Sequence, residues 1–189
     1  AKESHDGRIR RKDVRKAIRC SGNTAPGPDG IPYAAWRALG DFAVDILWDA
    51  TQALSTDQAS RMMSEAFPQM PEGSHAFNEG LLCCLPKKPT GTTPEGGEYY
   101  AAEATRPLTI VNTDNRLVAG AARFRWEAVL ARWICGRQRG FLPGRSMLAN
   151  VVDIDYFSML TSLAEEEGAL VLFDFSAAFP SVSHKFILR

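Results

Sequence analysis

The stretch Ala169-Leu170-Val171-Leu172-Phe173-Asp174-Phe175 decides the fold that we predict for this chain. Six of its seven residues are apolar, which is typical of a buried β-strand. The single carboxylate, Asp174, lies next to the end of this run, where burial of its charge is costly unless a cation or hydrogen-bond donors compensate it. Two interpretations are open: Asp174 binds a metal ion, or it caps a helix that begins near Ser176.

Upstream of this strand, the sequence alternates helical patterns with a pair of apolar runs. Helical spacing of apolar residues predicts helices over 11–19, about 34–54, 113–134 and 147–163, with the second of these divided at Gly40. The apolar runs 81–85 and 108–111 predict strands, each buried on both faces or paired in a hairpin, with an exposed connection over about 90–104. The pattern as a whole predicts an α+β fold.

Composition excludes several classes of protein. The 189 residues include 22 Lys and Arg against 22 Asp and Glu, so the net charge does not by itself indicate a nucleic-acid partner. The four cysteines lack the spacing of a zinc site or a disulfide framework, which fits a reducing intracellular compartment. No run approaches the roughly 20 apolar residues of a membrane span, and the charged N-terminus does not resemble a signal peptide.

The total charge is balanced, but the charged residues are unevenly distributed along the chain. One short segment contains seven basic residues and a single acid, Asp13; the basic residues are Arg8, Arg10, Arg11, Lys12, Arg15, Lys16 and Arg19. A solvated helix face and a phosphate-binding surface are both open interpretations of this run.

Four blocks of the sequence, in order, resemble the reverse transcriptases of non-LTR (LINE-type) retrotransposons. They are Ala25–Pro32 (APGPDGIP), Leu85–Pro89 together with Arg106–Leu108 (LPKKP and RPL), Gln138–Ser146 (QRGFLPGRS) and Phe173–Phe179 (FDFSAAF). In that family they are the N-terminal block, the fingers hairpin, the Gln-x-Gly-Phe block and the first catalytic block. The resemblance extends from about Val14 to Leu188. Ala177 and Pro180 depart from the family's frequent Lys and Asp, and neither departure removes a metal ligand.

The resemblance implies a right-hand polymerase fold, with helical fingers and a β-hairpin leading into an incomplete palm. Residues 1–24 would form a basic N-terminal helix and linker, residues 25–146 the fingers, and residues 147–189 the start of a truncated palm. The basic helix and the Pro-Gly loop would lie where template RNA enters.

The resemblance also assigns a catalytic site. Two Mg²⁺ ions would be bridged by Asp174, and the backbone carbonyl of Phe175 would be a further metal ligand. Phe179 would lie beneath the incoming sugar and exclude a 2′-hydroxyl; an ordinary core aromatic is the alternative.

Basic residues of the hairpin would contact the triphosphate. They are Arg106 and one of the two lysines Lys87 and Lys88, and the sequence does not show which lysine makes the contact. Solvated hairpin charges are the alternative. Template-binding residues would be Gln138, Gly140, Phe141 and Arg145.

The implied activity is RNA-directed DNA synthesis from an RNA template, a DNA primer and dNTPs, in the nucleus or the cytoplasm. The family's second metal-binding block does not occur before Arg189, so this chain is expected to be inactive alone. A non-catalytic RNA-binding remnant of such an enzyme is the alternative function. Group II intron-type reverse transcriptases share some blocks, whereas RNA-templated RNA polymerases and palm-type cyclases fit only the Asp-x₄-Phe pattern.

Overall fold

The computed structural model describes residues 7–66, 77, 79–164, 167–175 and 181–187. The chain divides into two compact units, Ala1–Trp133 and Ile134–Arg189. Helices and two small antiparallel sheets together give an α+β structure, which confirms the predicted fold class. The boundary after residue 146, between predicted fingers and palm, stays a prediction.

The first unit contains five described helices and four short strands. The helices are α1 (Arg11–Arg19), α2 (Tyr33–Ala38), α3 (Asp41–Leu54), α4 (Ala59–Ala66) and α5 (Thr113–Trp133). The strands are β1 (Gly80–Pro86), β2 (Gly91–Thr92), β3 (Glu98–Tyr99) and β4 (Thr105–Val111), with a 3₁₀ turn at Ala102–Ala104. Gly40 separates α2 from α3 with a φ of 57°, in the left-handed region that favours glycine.

The core of the first unit forms where α1 packs between α3 and α5. One side of α1 buries Val14, Ala17 and Ile18, whose spacing places them on a single stripe of the helix. Among the described residues, the buried apolar side chains are Val14, Ala17, Ile18, Tyr33, Ala43, Val44, Leu47, Leu117 and Ala121. The helical periodicity of the sequence predicted most of this core, but Leu39 and Ile46, which share the helical spacing, are exposed.

The two longer strands form an antiparallel ribbon. β1 pairs with β4 in a register that runs from Gly80 opposite Val111 to Pro86 opposite Thr105. The predicted hairpin is confirmed, but large apolar side chains such as Leu81 and Leu82 are exposed, so the strands are paired without being buried on both faces. The connection between them holds the small β2–β3 pair.

The second unit contains the helices α6 (Leu148–Leu163) and α7 (His184–Ile187). The strand predicted over 169–175 is wrong: this segment has no regular secondary structure, and Phe173 is 89% exposed. A strand is stabilised by hydrogen bonds to a neighbour, and the described residues of this unit offer no partner strand. An apolar run alone therefore did not determine the local structure.

Among the described residues, the helices do not combine the length and the apolar composition that a membrane crossing requires. The longest, α5, has 21 residues, yet it carries charged side chains along its length, including Arg116, Arg123 and Glu127.

Candidate functional site

The Pro-Gly-rich loop over 25–32 docks on the start of α5. The backbone N–H of Asp29 donates to Asn112 Oδ1 at 3.2 Å. A Cβ atom on Gly27 would lie 2.4 Å from the Cα atom of Asn112, much closer than two carbon atoms can approach. The loop can therefore take this position only with glycine at residue 27.

A buried threonine joins the loop to α2 and α5. The Trp36 indole N–H donates to Thr113 Oγ1 at 2.8 Å, and the Thr113 hydroxyl donates to the Ile31 carbonyl at 2.8 Å. Thr113 is completely buried, so both contacts satisfy a polar group that water does not reach. These bonds fix the loop and α2 against the start of α5.

Arg116, one turn further along α5, holds the first part of the loop. Its guanidinium donates to the Ala25 carbonyl at 2.8 Å and lies 5.2 Å from the centre of the Tyr33 ring. Sequence reasoning missed Arg116 and Thr113. The polar triplet 112–114, which directly follows β4, predicts the start of a helix but does not indicate which segment it meets.

Asp114 lies in the first turn of α5 and is only half-exposed. Burial raises the pKa of Asp114, the N–H of Asn115 lowers it, and the nearby carboxylate of Asp29 raises it again. A helix N-terminus favours a negative charge. Burial together with the second carboxylate outweighs this preference, so the ionised form of Asp114 is disfavoured in the folded chain.

Asp114→Asn should make the stability of the first unit less dependent on pH. The pKa of Asp114 is raised in the folded chain above its ordinary value of 3.8, so its ionisation destabilises the fold, and this cost grows as pH rises above that value. The variant should therefore gain stability relative to the wild type between about pH 3.5 and pH 7. Urea unfolding at both pH values measures the difference. A difference that shrinks as pH rises would contradict this assignment.

The β1–β4 ribbon brings two of the predicted triphosphate-binding residues together. Leu85 pairs with Arg106, and the Lys87 N–H donates to the Ala104 carbonyl at 2.9 Å, which continues the ladder one position past β1. Alternate residues of a strand share a face, so Lys87 lies on the same face as Leu85 and Arg106. Lys88 lies in a bend beyond the ladder, so strand alternation does not extend to it.

The predicted template-binding residues lie in one loop of the second unit. The Arg145 guanidinium donates to the carbonyls of Ile134 (3.1 Å), Cys135 (2.7 Å) and Gln138 (2.8 Å). The Gln138 amide in turn donates to the Gly140 carbonyl at 3.4 Å. Arg145 therefore closes the loop on itself with its guanidinium held by backbone oxygens.

Phe141 lies at the exposed end of that loop. Its φ of 61° is in the left-handed region, which is uncommon for a bulky residue, and its side chain is fully exposed. The ion pair between Arg139 and Asp153, at 2.7 Å, joins the loop to α6. An aromatic ring held in solvent by a constrained loop is suited to stacking on a base.

The predicted catalytic residues are less well placed. Asp174 and Phe175 are exposed in the irregular segment, and Phe179 lies outside the described residues. In the described ranges, no three His, Cys, Asp or Glu side chains lie close enough to hold a metal ion. One carboxylate and one backbone carbonyl are too few ligands for two Mg²⁺ ions, so these residues do not form a two-ion site by themselves.

Comparison with known proteins gives one informative similarity. No protein-family model matches the chain. The chain is 28% identical over 169 residues to the "Transposon TX1 uncharacterized 149 kDa protein" of Xenopus laevis, and the match covers 88% of this chain and 11% of the length of that protein. The similarity supports a transposon origin. Because that relative is itself uncharacterized, it assigns no activity to this chain.

Proposed function

We propose that this chain is the fingers and the first palm segment of a LINE-type reverse transcriptase, an RNA-directed DNA polymerase with a right-hand fold. The observation that carries the proposal is the β1–β4 ribbon, whose register sets Lys87 and Arg106 on one exposed face. Arg suits bidentate contact with phosphate, and Lys supplies a compact positive charge, so this face fits the triphosphate of an incoming dNTP. The similarity to a transposon protein supports the retroelement origin that the proposal requires.

The template strand would meet the second unit at Phe141. In this proposal the exposed ring stacks on a template base, while Gln138, Gly140 and Arg145 act by shaping the loop that presents it. Such contacts tolerate any base sequence, as a polymerase must. The enzyme would act in the nucleus or the cytoplasm on an RNA template and a DNA primer.

Two Mg²⁺ ions would serve the complete site, and Asp174 provides one of the carboxylates that they need. The proposal expects the others in the sequence that follows Arg189 in the gene. Translation of that reading frame should reveal an apolar hairpin with two adjacent acidic residues. An unrelated sequence in that position would contradict the proposal.

Lys87→Ala should raise the KM for dNTP about tenfold, which corresponds to about 1.4 kcal/mol for one charge-assisted contact. Lys88→Ala, which removes the same charge from the bend beyond the ladder, should change the KM less than about twofold. Primer extension by the protein extended through the second carboxylate block measures both variants. A larger effect at Lys88 would contradict the face assignment, and no effect at either lysine would contradict the triphosphate site.

The second candidate function is a non-catalytic RNA-binding remnant of such a polymerase. The observation that favours it is that Asp174 belongs to no group of three His, Cys, Asp or Glu side chains that could hold a metal ion among the described residues. RNA binding that persists in Asp174→Ala and without Mg²⁺, in a protein that incorporates no dNTP, would favour the remnant over the enzyme.

A further inference from the structure

We infer that the outer edge of β1 pairs with β1 of a second copy of this chain, in an antiparallel and two-fold symmetric arrangement. The occupant is a second copy because the backbone groups along this edge, and the charges at its two ends, are complementary to themselves. This pairing goes beyond the proposed function and does not depend on it.

The register of the ribbon leaves one edge of β1 free. In an antiparallel ladder, residues whose N–H and C=O point to the neighbouring strand alternate with residues whose groups point away. The Lys87 N–H donates to the Ala104 carbonyl, so the odd-numbered residues of β1 point toward β4. Gly80, Leu82 and Cys84 therefore direct their backbone groups to the outer edge. In the described part of the chain, β1 has no second neighbouring strand.

Pro107 obstructs the opposite edge of the ribbon. It lies in the middle of β4, opposite Cys84, where backbone groups point outward. Proline has no N–H to donate, and proteins commonly use it to protect a sheet edge. A further strand is therefore accommodated at β1 and not at β4.

A two-fold axis at Cys83 satisfies the free edge with a second copy. It sets Leu82 of each copy opposite Cys84 of the other, and each of these pairs exchanges two hydrogen bonds. The Gly80 N–H meets the carbonyl of Pro86 of the second copy, and Pro86 has no N–H that needs a partner. Each outward N–H of the strand therefore finds an acceptor.

The apolar side chains fit the same register. Leu81 is 57% exposed and lies opposite Leu85 of the second copy, which is 47% exposed in the single chain. Pairing removes part of this apolar surface from water, and cross-strand neighbours of this kind stabilise a sheet. β1 itself carries no charged residue that would repel its copy.

The charges at the ends of β1 select this register over its neighbours. Glu79 directly precedes the strand and Lys87 directly follows it. A two-fold axis at Cys83 sets Glu79 of each copy opposite Lys87 of the other, which gives two pairs of opposite charge. A shift by two residues would instead set Glu79 against Leu85, or Lys87 against Leu81.

Lys87 also belongs to the face that we propose for the triphosphate. In the paired form this lysine faces a carboxylate, so self-association and triphosphate binding compete for it. The tests of the pairing use no dNTP, so the failure of the pairing and the failure of the proposed function are distinguishable.

Disulfide formation tests the register. The two Cys83 residues would form a non-hydrogen-bonded pair with Cα atoms about 4.5 Å apart, a separation that a disulfide spans. The two Cys84 residues would lie on a diagonal at about 7 to 8 Å, which is too far. The test compares two chains that retain only Cys83 or only Cys84, with alanine at the other cysteines. In air oxidation catalysed by copper-phenanthroline, where oxygen accepts the electrons, the first should give at least about ten times more disulfide-linked dimer.

Two proline substitutions test the edge. Leu82 and Thr109 lie opposite each other, and both point their N–H groups outward, so neither substitution removes a hydrogen bond between β1 and β4. Leu82→Pro obstructs the edge of β1 and should weaken the dimer at least about tenfold. Thr109→Pro obstructs the edge of β4 and should leave the dimer affinity within about threefold. Sedimentation equilibrium of the 189-residue chain measures the affinity, and circular dichroism shows whether each variant is folded.

A charge exchange tests the identity of the occupant. Glu79→Lys should weaken the dimer about tenfold, because two lysines then face each other at each end. Glu79→Lys combined with Lys87→Glu should restore the affinity to within about threefold of the wild type. Monomers at every concentration up to about 0.5 mM would overturn the inference and leave the edge to a different occupant. Equal crosslinking through the two cysteines, a dimer unaffected by Leu82→Pro, or no recovery in the charge exchange would each overturn it as well.

Discussion

Asp174→Asn should reduce RNA-templated DNA synthesis by about three orders of magnitude, or about 4 kcal/mol in the activation free energy. The prediction applies to the protein extended through the sequence that follows Arg189. Asn keeps the size of the side chain but loses the charge that Mg²⁺ prefers in its oxygen ligands. Primer extension on an RNA template in Mg²⁺ measures the rate.

This substitution separates the two interpretations of Asp174. Asn is as good a helix N-cap as Asp, so a residue that only caps a helix would tolerate the change. The control is Asp155→Asn, which neutralises an exposed carboxylate on α6 and should leave the rate within about twofold. Both variants should bind RNA as the wild type does. Full activity in Asp174→Asn would contradict the role of a metal ligand.

Gly27→Ala should destabilise the first unit by about 2 kcal/mol. The new methyl group would lie 2.4 Å from both the Cα and the Oδ1 of Asn112, and backbone at this distance cannot yield as a flexible side chain does. The loop would have to move off α5, which would lengthen the hydrogen bond from Asp29 to Asn112. Urea unfolding of the chain, followed by circular dichroism, measures the loss.

Gly22→Ala is the matched control for this prediction. Gly22 lies five residues earlier in the same connection, and no heavy atom lies within 4 Å of the position of its Cβ atom. The control should be neutral or slightly stabilising, because alanine reduces the conformational freedom of the unfolded chain. Equal effects of the two substitutions would show that the loop does not dock on α5 as described.

Local patterns in the sequence predicted much of the first unit. The bounds of α1, the division at Gly40 and the pairing of the two apolar runs follow from periodicity, from glycine and from turn residues, which all act over a few positions. The choice between Lys87 and Lys88 could not be made from these local patterns. It depends on the register of β4 against β1, which the sequence of either strand alone does not determine.

Contacts between distant parts of the chain account for what the sequence did not predict. Thr113 and Arg116 meet the loop over 82 and 91 residues of separation, and no local pattern encodes which loop they bind. Arg145 illustrates the same limit, because a basic residue in a glycine-rich loop predicts phosphate binding equally well whether or not backbone carbonyls hold it. The predicted strand around Asp174 failed because a strand requires a neighbour.

The central claim is that the chain belongs to an enzyme that copies RNA into DNA. The measurement that tests it most directly is dNTP incorporation by the protein extended beyond Arg189, with a DNA primer on an RNA template in the presence of Mg²⁺. We expect extension of the primer by dNTPs and not by NTPs, with synthesis reduced by about three orders of magnitude in Asp174→Asn. A protein that carries a second carboxylate pair and binds the primed template, yet incorporates no dNTP, would contradict it.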